Sequence, residues 1–119
     1  LKNLALGGDK DDSKFDDHAL QSTTKHIENM VHETMNCLKE YELDEESYSF
    51  GVGELLSITA NKFNHGTDEP KVAILTRSIE SQKMVLSIAT RANNHHAPSP
   101  PQKRIFQATF YTSLNCFYY

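Results

Sequence analysis

From His18 onward, apolar side chains return at helical spacing. Leu20, Ile27, Thr34 and Tyr41 recur every seven residues, Thr23, Met30 and Cys37 fill the positions three further on, and Val31 and Leu38 widen the stripe. The pattern predicts an amphipathic helix over residues 17–41. Asp16 or Asp17 caps its start, where a carboxylate suits the positive end of the helix dipole. A second stripe, formed by Tyr48, Val52, Leu55, Leu56, Thr59 and Phe63, predicts a helix over 45–63, with Asp44 as its cap and Glu45 and Glu46 in its first turn. Gly51 and Gly53 interrupt it. Each glycine costs roughly 1 kcal/mol relative to alanine inside a helix, so the pair implies either a start delayed to Ser49 or a close neighbouring helix.

Asn64, His65 and Gly66 form a stop signal, after which Thr67 or Asp68 is placed to cap a third helix with Pro70 in its first turn. That helix is predicted over 68–92. Val72, Leu75, Ile79, Leu86 and Ala89 make its buried stripe, with Ile74, Val85 and Ile88 flanking it, while Arg77, Glu80 and Arg91 share the far side as a basic face. The run NNHHAPSPP from Asn93 to Pro101 breaks the pattern, because asparagines and prolines do not continue a helix. The final segment is ambiguous. Phe106, Phe110, Leu114 and Phe117 have helical spacing, but Phe106, Ala108, Phe110, Thr112, Leu114 and Cys116 also alternate as in a strand. Three preceding helices offer no sheet to join, so a helix over 101–117 is the reading adopted. The expected fold is all-α: an antiparallel bundle of four helices in a single domain over 17–119. Residues 1–16 are an acidic lead-in, read as flexible because GGDKDDSKFDD has too little apolar surface to offset its ordering entropy.

Length and composition narrow the functional classes. A chain of 119 residues suits one domain, and no apolar run approaches the roughly 20 residues that span a bilayer. The net charge of -4 hides an asymmetry: residues 1–69 carry 15 acids and 6 lysines, whereas residues 70–119 carry 6 cations and the single acid Glu80. Such a split implies either a basic surface for an acidic partner or an acidic first half packed against a basic second half. Cys37 and Cys116 lack CxxC spacing, and both fall on apolar faces, which predicts buried, inert thiols in a reducing, intracellular compartment, the cytoplasm ahead of the nucleus. A disulfide between them requires the first and last helices to meet. The chain opens on Leu1 without the pattern of a signal peptide, which suggests a fragment of a longer protein.

Motifs for chemistry are sparse. His18, His26 and His32 lie on different faces of the first helix; Glu28 and His32 alone have the i, i+4 spacing of paired ligands, and a solvated ion pair accounts for them without a metal. His95 and His96 adjoin prolines without a nearby Cys or Glu. Asp9, Asp11, Ser13, Phe15 and Asp17 have the oxygen spacing of a calcium loop, but Lys14 stands where that loop needs Gly and Leu20 where it needs Glu. No Gly-x-Ser-x-Gly elbow is present, and Gly51-Val52-Gly53 is not followed by the Gly-Lys-Ser/Thr of a phosphate loop. These patterns point to a non-enzymatic protein without a cofactor or bound metal.

Two segments suggest contacts instead. Pro98, Pro101 and Lys103 match the PxxPx(K/R) form that aromatic grooves of SH3-type domains read in a polyproline helix, although a plain interhelix linker explains the same prolines. Ser99, followed by Pro100, is a candidate for proline-directed phosphorylation, which would add a dianion beside those prolines. Six of the eleven Phe and Tyr residues lie between Phe106 and Tyr119. Either Phe106, Phe110 and Phe117 complete the core with Tyr111, Tyr118 and Tyr119 peripheral, or part of this segment is an interface for a partner protein or a homodimer. The function expected is that of a protein–protein interaction module of an intracellular scaffold, adaptor or regulatory protein, binding a partner protein or peptide helix. The alternative is a helical regulatory subunit in transcription or nucleic-acid assemblies, acting through the basic second half with Arg77 and Arg91. Too few clustered cations argue against direct nucleic-acid binding.

Overall fold

The computed structural model describes residues 15–66, 68–94 and 97–118; the side chain of residue 118 falls outside that description. Four α-helices make up the described chain: α1 (Asp17–Cys37), α2 (Glu45–His65), α3 (Lys71–Asn93) and α4 (Pro100–Tyr118). The predicted lead-in falls mostly on residues 1–14, and the candidate calcium loop, His95, His96, Thr67 and Tyr119 also lie wholly or largely outside the described residues.

Local chemistry sets the ends. Asp16 starts α1, its carboxylate accepting the Ala19 N–H at 3.2 Å. The helix expected to reach residue 41 instead stops at Cys37, and a 3-10 turn, Lys39–Tyr41, carries the chain on until Glu42 takes up left-handed backbone (φ 51°). The turn keeps Leu38 and Tyr41 facing inward, so the heptad stripe survives although the α-helix ends. Asp44 caps α2 with both carboxylate oxygens: one accepts the Ser47 N–H at 3.2 Å and the other its hydroxyl at 2.7 Å. Neither expectation for the glycines holds at Gly53, because α2 begins at Glu45 rather than near Ser49 and a Cβ built on Gly53 meets nothing within 4 Å. Gly66 ends α2 with φ 79° and donates its N–H to the Lys62 carbonyl. At α3 the expected side-chain cap is replaced by Pro70, whose extended backbone precedes the first helical residue, Lys71.

Residue pairings give the helix directions. Thr34 meets Gln82 and Tyr41 meets Ala92, so α1 and α3 run parallel; Tyr48 meets Gln82 and Thr59 meets Ser78, so α2 runs against α3. Consecutive helices are antiparallel, as short loops require. The most extensive packing nonetheless joins α1 and α3, which are not consecutive, and α3 touches every other helix. Thr34 on α1 and Ala89 and Ala92 on α3 are small and buried, which suits a close approach of the two backbones.

The buried face of α3 is turned away from the predicted one. Ile74, Leu75, Ser78, Gln82, Val85, Ala89 and Ala92 are buried, whereas Val72, Ile79 and Leu86 are only partly so. At 100° per residue this is a rotation of roughly 70° about the helix axis. The apolar pattern concealed it because two of the residues on the true face, Ser78 and Gln82, are polar. Both are satisfied: Gln82 Nε2 donates to Tyr48 Oη at 2.8 Å and to Thr34 Oγ1 at 3.4 Å, and Ser78 and Thr59 share a hydroxyl–hydroxyl bond of 2.8 Å. In that last pair each oxygen also lies within bonding distance of a carbonyl one helical turn back, Leu55 for Thr59 and Ile74 for Ser78. Two protons serve three contacts, so one of the two carbonyls gives up its hydroxyl donor at any moment.

The last segment is helical, not a strand. Its alternation of apolar and polar residues yields to the i, i+4 set Phe106, Phe110 and Leu114, of which Phe110 is 1% exposed. Phe110 lies edge-on to Tyr48 with ring centroids 5.6 Å apart, and Phe106 packs at 4.4 Å against Tyr41. The aromatic segment thus closes the core over the α1–α2 junction. Burying a ring of this size contributes on the order of 1.5–3 kcal/mol.

Candidate functional site

The residues singled out in the sequence are largely consumed by the fold. Pro98 is buried, and Pro100, Pro101 and Lys103 lie in the first turn of α4. The polyproline conformation expected for an SH3 ligand is therefore absent here. Ser99 and Gln102 explain why: the Ser99 N–H donates to Gln102 Oε1 at 2.7 Å, and the Gln102 N–H donates back to Ser99 Oγ at 3.4 Å. This reciprocal pair is a capping box, and it recruits two prolines as helix-starting residues whose missing N–H groups cost nothing. Ser99 itself is exposed and acts as the cap.

Lys103 forms an ion pair with Glu42. Together with Gln107 and Tyr111 it makes a ladder, one turn apart on α4, that fastens the α1–α2 junction. Gln107 Nε2 donates to the Tyr41 and Glu42 carbonyls at 2.6 and 3.1 Å, and Tyr111 Oη donates to the Asp44 carbonyl at 2.9 Å. Burial is the main cause that raises the Tyr111 phenol above its ordinary pKa, while its bond to the Asp44 carbonyl acts the other way. The Lys103 ammonium, by hydrogen bond and charge, holds the Glu42 carboxyl below its ordinary value, and the Ser47 hydroxyl and N–H do the same for Asp44.

Phe110 is inaccessible, so its candidate role as a binding residue is corrected to one in the core, while Phe106, Tyr111 and Phe117 are partly buried. Phe117 offers its carbonyl to Ser81 Oγ at 3.2 Å. Cys37 and Cys116 are free thiols, and neither is buried as expected: Cys37 is partly so, and Cys116 is exposed because it lies roughly 120° round α4 from Phe110 and roughly 160° from Leu114.

The basic face is also partly spent. Arg77 grips Glu69 through both guanidinium nitrogens, and that hydrogen-bonded pair raises the arginine's pKa and lowers the carboxyl's. Lys83 lies 3.7 Å from Glu80, and Lys71 sits over the Phe63 ring at 4.8 Å. Arg91 is exposed near the other end of α3, 14 residues and roughly 21 Å from Arg77. The acidic and basic halves meet in the Glu42–Lys103 and Glu69–Arg77 pairs. Glu28 and His32 are exposed on α1, and no group of three His, Cys, Asp or Glu able to hold a metal occurs among the described residues. No described helix is long and apolar enough to cross a membrane.

The feature that the sequence did not single out is a trough where α1 meets α2. Its inner part, about 440 Å³, has Leu38, Leu43 and Tyr48 on its floor and Lys39, Glu42 and Glu45 on its rim. Its outer, more open part runs past Glu46, Ser47 and Ser49 to Phe50. Met35 and Glu45 line both parts, so the two adjoin. Phe50, 69% exposed, stands at its outer end. Its place in the chain gave a signal: Phe50 is two residues from Tyr48, about 200° round the helix from the buried stripe. No family model matches this chain, and no curated protein and no solved structure is significantly similar to it.

Proposed function

We propose that this chain is a non-enzymatic protein–protein interaction module of a scaffold, adaptor or regulatory protein, and that it binds through the α1–α2 trough. One observation carries the reading. A large aromatic side chain, Phe50, lies exposed beside an apolar depression into which Met35 also faces, although the bundle has buried aromatics of similar size elsewhere. Single exposed apolar residues are ordinary on a protein surface, but one that borders a concave apolar floor extends a surface on which a partner can bury area. Two free thiols, one of them exposed, fit a reducing, intracellular setting. The nucleic-acid reading has less support, since Arg77, Lys83 and Lys103 each face a carboxylate.

The test is binding by a purified partner. A protein captured from lysate is identified, purified and titrated against the wild-type chain and Phe50→Ser, a change at an exposed position that leaves the core intact. Stoichiometric binding that weakens at least tenfold in Phe50→Ser is the expected result. Binding indifferent to Phe50, or no partner that rebinds in pure form, overturns the proposal.

A further inference from the structure

We infer that the occupant of the trough is one face of a basic amphipathic helix supplied by a partner protein. The inference rests on the interaction reading above and adds the chemistry of the partner. Residues 40–46, EYELDEE, hold five carboxylates and no cation. Asp44 is engaged as the α2 cap and Glu42 is paired with Lys103, whereas Glu40, Glu45 and Glu46 are exposed and belong to no ion pair among the described residues. Glu45 and Glu46 suit the α2 dipole, which explains acids at this point but not an apolar floor between them and Met35. The combination of that floor with Glu45 and Glu46 on the rim, set against Lys39 and His32, is complementary to a surface that is apolar along one stripe and cationic on its flanks.

A helix is the form that fits. Apolar anchors at i, i+3 or i+4, and i+7 present one stripe over about two turns, which can set side chains against Met35 and Phe50 together. Met35, which lines both parts of the trough, is unbranched and adapts to whatever side chain enters. Lysines or arginines beside those anchors would face Glu45 and Glu46, which steers the encounter and fixes the direction of the bound helix.

Fluorescence anisotropy with defined probes tests this. The first probe is a labelled peptide of about 18 residues, five turns, built from Leu on one face and Lys on the other; the second carries Glu in place of Lys; the third has the Leu/Lys composition in scrambled order. The Leu/Lys helix should bind saturably and the other two at least tenfold more weakly. Phe50→Ser, and separately Glu45→Gln with Glu46→Gln, should each weaken that binding at least tenfold, with helicity by circular dichroism unchanged, while Arg91→Ser leaves it unaltered. Added salt should weaken it further. Equal binding of the Leu/Glu helix, or variants that bind as the wild type does, overturns the inference. Concentration-dependent self-association lost in Phe50→Ser overturns it too, by assigning the face to a second copy of the chain. If the Leu/Lys helix fails to bind while a purified partner still depends on Phe50, the partner chemistry alone is wrong; if Phe50 matters to neither, the interaction reading falls as well.

Discussion

Gln82 offers the most direct access to what holds the three core helices in register. Its side chain is 0% exposed, and its amide joins α3 to both α1 and α2. Gln82→Met keeps the length of the side chain and removes the donor. Thr34 Oγ1 loses little, because it still donates to the Met30 carbonyl at 2.8 Å and its contact with Gln82 is long. Tyr48 Oη loses a buried bond of good length, 2.8 Å. Removing one member of a buried hydrogen bond costs about 1–3 kcal/mol, so a loss of about 2 kcal/mol is expected. For a domain of this size that corresponds to a fall of about 8 °C in Tm. Urea denaturation followed by circular dichroism should show the midpoint falling with the slope unchanged. Combining the change with Tyr48→Phe removes both partners, and the double variant should be more stable than the two single losses added together by about 1 kcal/mol. Additivity within about 0.3 kcal/mol would refute the claim that this bond couples the helices. So would a Gln82→Met protein more stable than the wild type.

Other expectations are simpler. Gly53→Ala, at an exposed position inside α2 with space for the new methyl, should raise stability by about 1 kcal/mol, read as a higher denaturation midpoint. Ala89→Leu should cost about 1–3 kcal/mol through overpacking, since Ala89 is 0% exposed between closely approaching helices; a neutral result would mean that α1 and α3 are less tightly packed there. Glu42, Asp44 and Glu69 have pKa values held below the ordinary carboxylate range. Each therefore contributes stability that is complete above the unfolded-state pKa, near 4, and lost as pH falls through the lower folded value. Midpoints should hold between about pH 7 and 5 and drop below about 4. The combined Glu42→Gln, Asp44→Asn, Glu69→Gln protein should show a shallower acid slope.

Legibility in the sequence followed how apolar the buried face of each helix is. The stripes of α1 and α2 were readable because each turns essentially one apolar face inward: Thr23, Ile27, Met30 and Thr34 on the first, Tyr48, Val52, Leu55, Thr59 and Phe63 on the second. Asp16, Asp44 and Gly66 were readable from capping chemistry, which is local. The face of α3 was not, because it includes the buried polar residues Ser78 and Gln82, and apolar periodicity takes no account of a satisfied amide. For α4 the same limit applied in another way. Strand-like alternation and helical spacing coexist from Phe106 to Leu114, and only tertiary packing on Tyr41 and Tyr48 decides between them. Proline spacing misled at residues 98–103 because the Ser99–Gln102 capping pair lies within the same six residues and takes the prolines into a helix. Trough formation depends on a junction assembled from two helices and the turn between them, so Phe50 announced itself only by standing off the stripe.

The ladder of Lys103, Gln107 and Tyr111 bears on the order of assembly. Its contacts with the α1–α2 junction join residues 61 to 67 positions apart in sequence. Closing so long a loop carries an entropic cost that local contacts within α1 or α2 do not. During synthesis the first two helices are complete well before α4 emerges, and until it does the Tyr41 and Glu42 carbonyls that Gln107 will bind are left to water. The junction that forms the trough is thus finished last, by the segment of chain made last among the four helices.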